Sequence, residues 1–309
     1  MPLHEFFRLV FCKTRSGLHD FVDRVAIAAR FNHPNSSYEA RRHTQVKSTR
    51  TFIRMDENWY YGTKVPQITM SFWVAKILST AMGEATSDFL VFHTNPYLAV
   101  LGGALSFLVA LALQFRTRRH VPAIYWLLVV VVSVFGTMVA DVVHVVLGVP
   151  YLVSTAVFAV TLLAILWLWN TTERSLSIHT VETPRREAFY WATVIATFAL
   201  GTAAGDLTAA TFGMGYLNSA VMFTILFALP GIAYFAFGLN EVAAFWTAYI
   251  LTRPMGASFA DWFDKPIPTS GLGYGTPAVA AALSLAVGGA ILYVCFRERC
   301  RDKLTGVAE

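Results

Sequence analysis

The sequence predicts an all-α integral membrane protein with eight transmembrane helices. They form four parallel two-helix repeats, with odd-numbered helices inner and even-numbered helices outer. Three observations predict this. Of 309 residues, 56% are hydrophobic and 14% charged, with a mean hydropathy of +0.53, which is too apolar for one soluble domain of this length. Apolar runs of roughly 20 residues recur, each long enough to cross a hydrocarbon core of about 30 Å. One tryptophan, glycine and aspartate pattern repeats along alternate runs. A transmembrane barrel is excluded because runs such as 97–115 and 149–169 are apolar on every side, whereas barrel strands alternate and only helices otherwise satisfy the backbone in lipid.

The spans are expected at about 68–92, 97–115, 123–147, 150–169, 188–211, 216–237, 243–263 and 277–296. Basic residues cluster in alternate connections: Arg116, Arg118 and Arg119, then Arg174, Arg185 and Arg186, then Arg297, Arg299, Arg301 and Lys303. The opposite connections hold only Lys265. The positive-inside rule therefore places both termini in the cytoplasm. The net charge of +5 reads as topology, and no nucleic-acid partner is expected.

The membrane domain is expected over 64–297, in repeats of about 64–115, 121–169, 186–237 and 241–297. Residues 1–63 form a basic, aperiodic stretch expected to be a disordered cytoplasmic tail, and 298–309 a second one. Met55 is an alternative start, which would make 1–54 an over-extension. Cys12, Cys295 and Cys300 have no metal-ligand spacing and receive no role.

Trp73, Trp126, Trp191 and Trp246 each follow an aromatic residue: Phe72, Tyr125, Tyr190 and Phe245. Ten positions later stand Gly83, Gly136, Gly201 and Gly256, and five further on stand Asp88, Asp141, Asp206 and Asp261. Four occurrences of this spacing establish an internal repeat. The Trp residues read as interfacial anchors as well as repeat-packing residues, and the Gly residues read as points of close helix approach.

The run Lys64, Val65, Pro66, Gln67 into Ser71, Phe72, Trp73 and Lys76, then Gly83, Glu84 and Asp88, resembles a family of bacterial membrane-anchored proteins. That family is defined by a four-fold, two-span repeat of unknown function, and the resemblance covers about residues 64–296. It implies an architecture and, with it, a bacterial inner membrane location. It implies no activity.

Within the spans the ionisable side chains are Lys76, Glu84, Asp88, Asp141, Asp206, Arg253 and Asp261, all on odd-numbered helices. Charges inside a bilayer are costly, so they should face the bundle interior, where parallel repeats would set the four aspartates at one depth. At about 100° per residue, Glu84 shares a face with Asp88, and His144 with Asp141. The expected cation or proton pathway is therefore Asp88, Asp141, Asp206 and Asp261, assisted by Glu84 and His144. Lys76 and Arg253 are the expected internal counter-charges.

Acids exceed bases, so a bound cation or protons would restore balance, and oxygen ligands suit Mn²⁺, Mg²⁺ or Zn²⁺ on the four aspartates. No phosphate-binding loop or nucleophile elbow is present, so no enzyme is expected. The expected function is transport or export of a small inorganic cation, divalent or proton-coupled, with the lipid bilayer as the other partner. A non-transporting scaffold or stress-response protein, whose aspartates only fix helix packing, is the alternative.

Overall fold

The computed structural model describes residues 63–304, with side chains to Arg299. The tail before Thr63, the choice between Met1 and Met55, Cys12 and the side chain of Cys300 lie outside the described residues. Eight helices follow in order: α1 Met70–His93, α2 Pro96–Arg116, α3 Pro122–Asp141, α4 Tyr151–Glu173, α5 Pro184–Asp206, α6 Tyr216–Phe237, α7 Glu241–Asp264 and α8 Thr276–Leu304. A π-helical turn continues α3 over Val142–Val146 and α5 over Leu207–Thr211, and short 3₁₀ turns occupy Ile178–Thr180 and Ile267–Thr269. The last helix runs past residue 297, where a tail was expected, because Arg, Glu and Leu are good helix formers.

Local signals set the helix starts. Asn95 caps α2 by accepting from the amides of Tyr97 and Leu98, with Pro96 in the first turn. Thr183 and Pro184 do the same for α5, and Asn240 caps α7. An oxygen side chain satisfies free amides there, and proline needs no partner. After the π-turns, Gly148 and Gly213 turn the chain with φ of +66°, a conformation that costs glycine little.

Among the described residues six helices are long and apolar enough to cross a membrane: α2, α3 and α5 with their π-turns, α4, α6 and α8. The others, α1 and α7, have 24 residues each, about 36 Å of helix, but carry Lys76, Glu84 and Asp88, and Arg253, Asp261 and Asp264. Burial follows the same division. More than half of the residues of α1, α5 and α7, and half of those of α3, are buried. In contrast, α2 buries only Ala110 and Gln114, and α4 only Ser154, Leu162 and Trp169. Leu105, Val160, Ile225 and Leu285 on the even-numbered helices are exposed.

The four odd-numbered helices close into a ring: α1 packs on α3, α3 on α5, α5 on α7, and α7 back on α1. Each even-numbered helix lies chiefly against the odd helix of the next repeat, so α2 covers α3, α4 covers α5, α6 covers α7 and α8 returns to α1. The packing unit is thus offset by one helix from the sequence repeat.

The repeat glycines are the crossing points of this ring. A methyl group added at Gly83 would sit 2.5 Å from Ser133 Oγ, and one at Gly136 2.5 Å from Phe198 Cβ. One at Gly201 would collide with Arg253, and one at Gly256 with Thr80. In each case the contacted residue stands three positions before the glycine of the next repeat, and the fourth contact returns to the first repeat. The close approach of helices at small residues is the usual means of association in lipid.

The tryptophans correct the expectation of interfacial anchoring. All eight residues of the aromatic pairs are at most 9% exposed. Each leading aromatic reaches the tryptophan of the next repeat: Phe72 to Trp126 at 5.7 Å, Tyr125 to Trp191 at 5.5 Å, Tyr190 to Trp246 at 6.0 Å and Phe245 to Trp73 at 5.9 Å between ring centres. The same cyclic order as the glycines produces a closed collar of rings inside the bundle. A residue near a helix end can be interior when four helix ends converge, which a single-helix reading does not see.

Overpacking a close crossing costs about 1–3 kcal/mol. Gly136→Ala and Gly201→Ala should therefore lower the thermal midpoint of the detergent-solubilised protein, whereas Gly102→Ala, which meets nothing within 4 Å, should not. Equal midpoints for all three variants would contradict the crossing assignment.

Candidate functional site

The ring geometry sorts the interior into layers that can be named by their place in the repeat. One position after the glycines stand Glu84, Thr137, Thr202 and Ala257, all buried. Arg253, three positions before Gly256 and fully buried, reaches into this layer from α7. Its Nη2 faces Glu84 Oε2 at 2.7 Å, Thr202 Oγ1 at 2.8 Å and Thr137 Oγ1, and its Nη1 donates to the Thr80 carbonyl at 3.2 Å. The hydroxyls of Thr137 and Thr202 each donate to Glu84 Oε2 at 3.3 Å. Four helices thus converge on one ion pair. The hydroxyls supply the extra hydrogen bonds that a desolvated pair needs.

This arrangement revises the role expected of Glu84, set beside Asp88 as an assisting acid, and gives Arg253 the internal counter-charge role expected of it. Glu84 pairs with Arg253 because the crossings at Gly201 and Gly256 carry the Arg253 side chain across to α1.

Three positions after the tryptophans stand Lys76, Val129, Val194 and Tyr249, at no more than 1% exposure. Lys76, expected to balance carboxylates, touches none. Its Nζ lies 4.1 Å from the ring centre of Phe198 and 4.3 Å from that of Tyr249. It has no hydrogen-bond partner among the described residues. The Arg253 guanidinium lies over the same Phe198 ring at 5.1 Å.

The aspartates differ among themselves. Asp88 is ion-paired with Lys265, whose Nζ also lies 3.6 Å from Asp261 Oδ1 and 3.9 Å from Asp264 Oδ2. Asp264 in turn accepts from Thr276 Oγ1 at 3.0 Å. Burial would lower the pKa of the Lys265 ammonium, but Asp261 and Asp88 outweigh it and hold that pKa above the usual lysine value. Asp141 and Asp206 are partly exposed and make no hydrogen bond or ion pair among the described residues. Each is followed at once by a π-turn, a feature frequent at functional sites. The four aspartates and Glu84 act on one another electrostatically. They do not gather into one ligand sphere: among the described residues no three of His, Cys, Asp and Glu stand close enough to hold a metal ion, contrary to the expected metal site on Asp88, Asp141, Asp206 and Asp261.

His144 also departs from expectation. Its Nδ1 pairs with the Val149 carbonyl at 2.7 Å, and its ring stacks on Tyr151 with centres 3.3 Å apart. Its partners are therefore on the turn to α4 and not among the aspartates. It sits within the first π-turn, where the 100° projection no longer holds.

Two groups escaped the sequence reading. One is Lys265, whose signal was its isolation as the single basic residue in its set of connections. The other lies at the opposite end of the bundle, where Lys64 pairs with Glu187 at 2.5 Å and Gln114 Nε2 donates to Glu187 at 2.8 Å. There, His120 contacts the Lys64 carbonyl at 3.0 Å and Glu298 at 3.3 Å, and its ring lies 5.8 Å from Tyr125. These residues share no spacing that a single sequence reveals.

A family model described as Repeat of Unknown Function (DUF347) matches four times in tandem, at 71–120, 124–175, 189–239 and 244–299. The chain belongs to this family. The four DUF347 repeats bracket the four Trp, Gly and Asp sets, and Arg253 and Glu84 come from the last and the first. No curated protein and no solved structure matches the chain.

Breaking a buried ion pair by removing one partner costs about 3–5 kcal/mol, while replacing both by apolar residues is often neutral. Glu84→Leu alone should therefore strongly destabilise the protein, and adding Arg253→Met should recover most of the loss, as read by chemical unfolding in detergent. Additive losses in the double variant would contradict the pairing.

Proposed function

We propose that the protein crosses the membrane eight times, with α1, α3, α5 and α7 inner and α2, α4, α6 and α8 outer. Both ends lie in the cytoplasm. It moves a small inorganic cation by way of Asp141 and Asp206. The exposed apolar surface of the even-numbered helices supports the lipid contact. The flanking of α1 by α8 and of α7 by α6 supports spanning positions for the two helices that are less apolar.

The observation that carries the transport reading is the contrast among the carboxyls. Glu84 is matched by Arg253, and Asp88 and Asp261 share Lys265. Asp141 and Asp206 have no hydrogen-bond or ion-pair partner among the described residues. An aspartate at bilayer depth costs at least about 2.5 kcal/mol and is by default a functional candidate. A carboxyl in such a place is balanced by taking up a proton or a cation. The partial exposure of these two supports entry of the cation at the aspartate end. The matched set supports a packing role for the remaining charges, so the scaffold reading applies to them and not to Asp141 and Asp206.

In liposomes holding the full chain, uptake of Mn²⁺, Mg²⁺ and protons can be followed with internal indicator dyes. Asp141→Asn with Asp206→Asn should lower the rate for the moved cation at least tenfold with the fold intact. A folded double variant at the wild-type rate would refute the reading, and a wild-type protein that moves no cation would leave the scaffold alternative.

Topology gives a separate test. Reporters fused after Arg119, Arg186 and Arg299 should report a cytoplasmic position, and those near Pro96, Gly148 and Gly271 an external one. An external Arg186 would break the eight-span arrangement.

A further inference from the structure

Four successive residues outside any helix, Thr63, Lys64, Val65 and Pro66, are all buried. Irregular backbone ordinarily runs over a protein surface, because its polar groups need partners. Here the bundle supplies them. The Lys64 amide donates to the Val181 carbonyl at 3.0 Å, and Thr63 Oγ1 donates to the Ile178 carbonyl at 2.9 Å. His120 Nδ1 lies 3.0 Å from the Lys64 carbonyl, while its Nε2 lies 3.3 Å from Glu298 Oε2. The segment is therefore pinned to the connection between α4 and α5, and through His120 to the connection between α2 and α3 and to α8.

These contacts lay the segment over the aromatic collar. Val65, 3% exposed, belongs to the same buried cluster as Ile178, Val181 and the collar rings. Trp246 of the collar donates from its indole nitrogen to the Leu176 carbonyl at 2.9 Å, and the His120 ring lies 5.8 Å from that of Tyr125. The other end of the bundle differs. Tyr97, Val145 and Phe212 at its turns are exposed, and Asp141 and Asp206 are partly so.

One charge pair decides whether the segment can stay there. Lys64 Nζ lies 2.5 Å from Glu187 Oε2, with the two side chains 7% and 1% exposed. Gln114 Nε2 donates to the other carboxylate oxygen at 2.8 Å. Among the described residues Lys64 is the one base in ion-pair contact with Glu187. A buried carboxylate is tolerated while its ammonium is present and is strongly destabilising once the ammonium is removed. Water can take the place of the ammonium only by lifting the segment that covers the site. The pair therefore has two acceptable arrangements, closed and paired or lifted and hydrated.

We propose that residues 63–66 form a releasable strap over the cytoplasmic mouth of the bundle, latched by Lys64 on Glu187, and that breaking this pair lifts the strap from the collar. This rests on the proposed cytoplasmic position of that end and is independent of which cation moves. It also gives a role to the run Lys64, Val65 and Pro66 that leads into the first repeat. The strap covers the end of the interior opposite the aspartates, so its release exposes the collar to the cytoplasm.

The test is thiol labelling of Val65→Cys in the full chain, with Cys12, Cys295 and Cys300 replaced, by a membrane-impermeant maleimide added to inside-out vesicles. In this parent the thiol should react slowly, and fast labelling would overturn the strap. Adding Lys64→Met should speed labelling at least tenfold. Adding Glu187→Leu as well should return it to the parent rate, because a pair replaced by apolar residues needs no water. A rate unchanged by Lys64→Met overturns the proposal, and so does a double variant that labels as fast as the single one. The same pattern of rates seen only from the opposite face supports the strap and overturns the proposed orientation. Should Lys64→Met not fold by circular dichroism, Gln114→Leu, which deprives Glu187 of its second donor, takes its place, and the parent rate there overturns the proposal.

Discussion

The structure depends on the close approach of helix backbones at Gly83, Gly136, Gly201 and Gly256. Each glycine admits the residue three positions before the glycine of the next repeat. That offset sets the helix register, and with it the collar of aromatic pairs one layer away and the convergence of Glu84, Thr137, Thr202 and Arg253 on the other side. The fourth crossing joins the last repeat to the first, so the ring is closed by contacts between residues far apart in sequence. Such closure is costly in chain entropy before it is rewarded by contacts, and the packing of both α7 and α8 on α1 supplies those contacts.

On this four-fold frame the chemistry is unequal. The first and last repeats, made neighbours by ring closure, hold Lys76, Glu84, Asp88, Arg253, Asp261 and Lys265, and most of their charges meet one another. In the second and third repeats the positions equivalent to Lys76, Glu84, Arg253 and Lys265 hold Val129 and Val194, Thr137 and Thr202, Ser133 and Phe198, and Val145 and Ala210, so among the described residues Asp141 and Asp206 are left without basic partners. The π-turns occur in the same two repeats. Duplication supplies equivalent positions, and the substitutions within them decide which carboxyls are free.

Much of the fold was legible because it is written as periodicity. The helix positions follow from apolar runs and caps, and the ring glycines follow from a spacing repeated four times. The partners across helices were not legible. A helical projection places Glu84 with Asp88 correctly on one helix, yet it carries no information on which neighbouring helix crosses at Gly201 or Gly256. For the same reason the tryptophans read as surface anchors, Lys76 as a counter-charge to carboxylates, and His144 as a companion of Asp141 although a π-turn intervenes. Lys265 was visible as an isolated basic residue, but its reach to Asp88 depends on the fold of the last connection.

The central claim is an interior open at the aspartates and sealed at the Lys76 and collar layers, and thiol accessibility tests it most directly. With the native cysteines replaced, Asp141→Cys and Asp206→Cys should react with a membrane-impermeant thiol reagent added to the external side. Val129→Cys and Val194→Cys should react from neither side. Rapid labelling of Val194→Cys from either side would contradict the account, because it would mean that water crosses the layer that the structure closes.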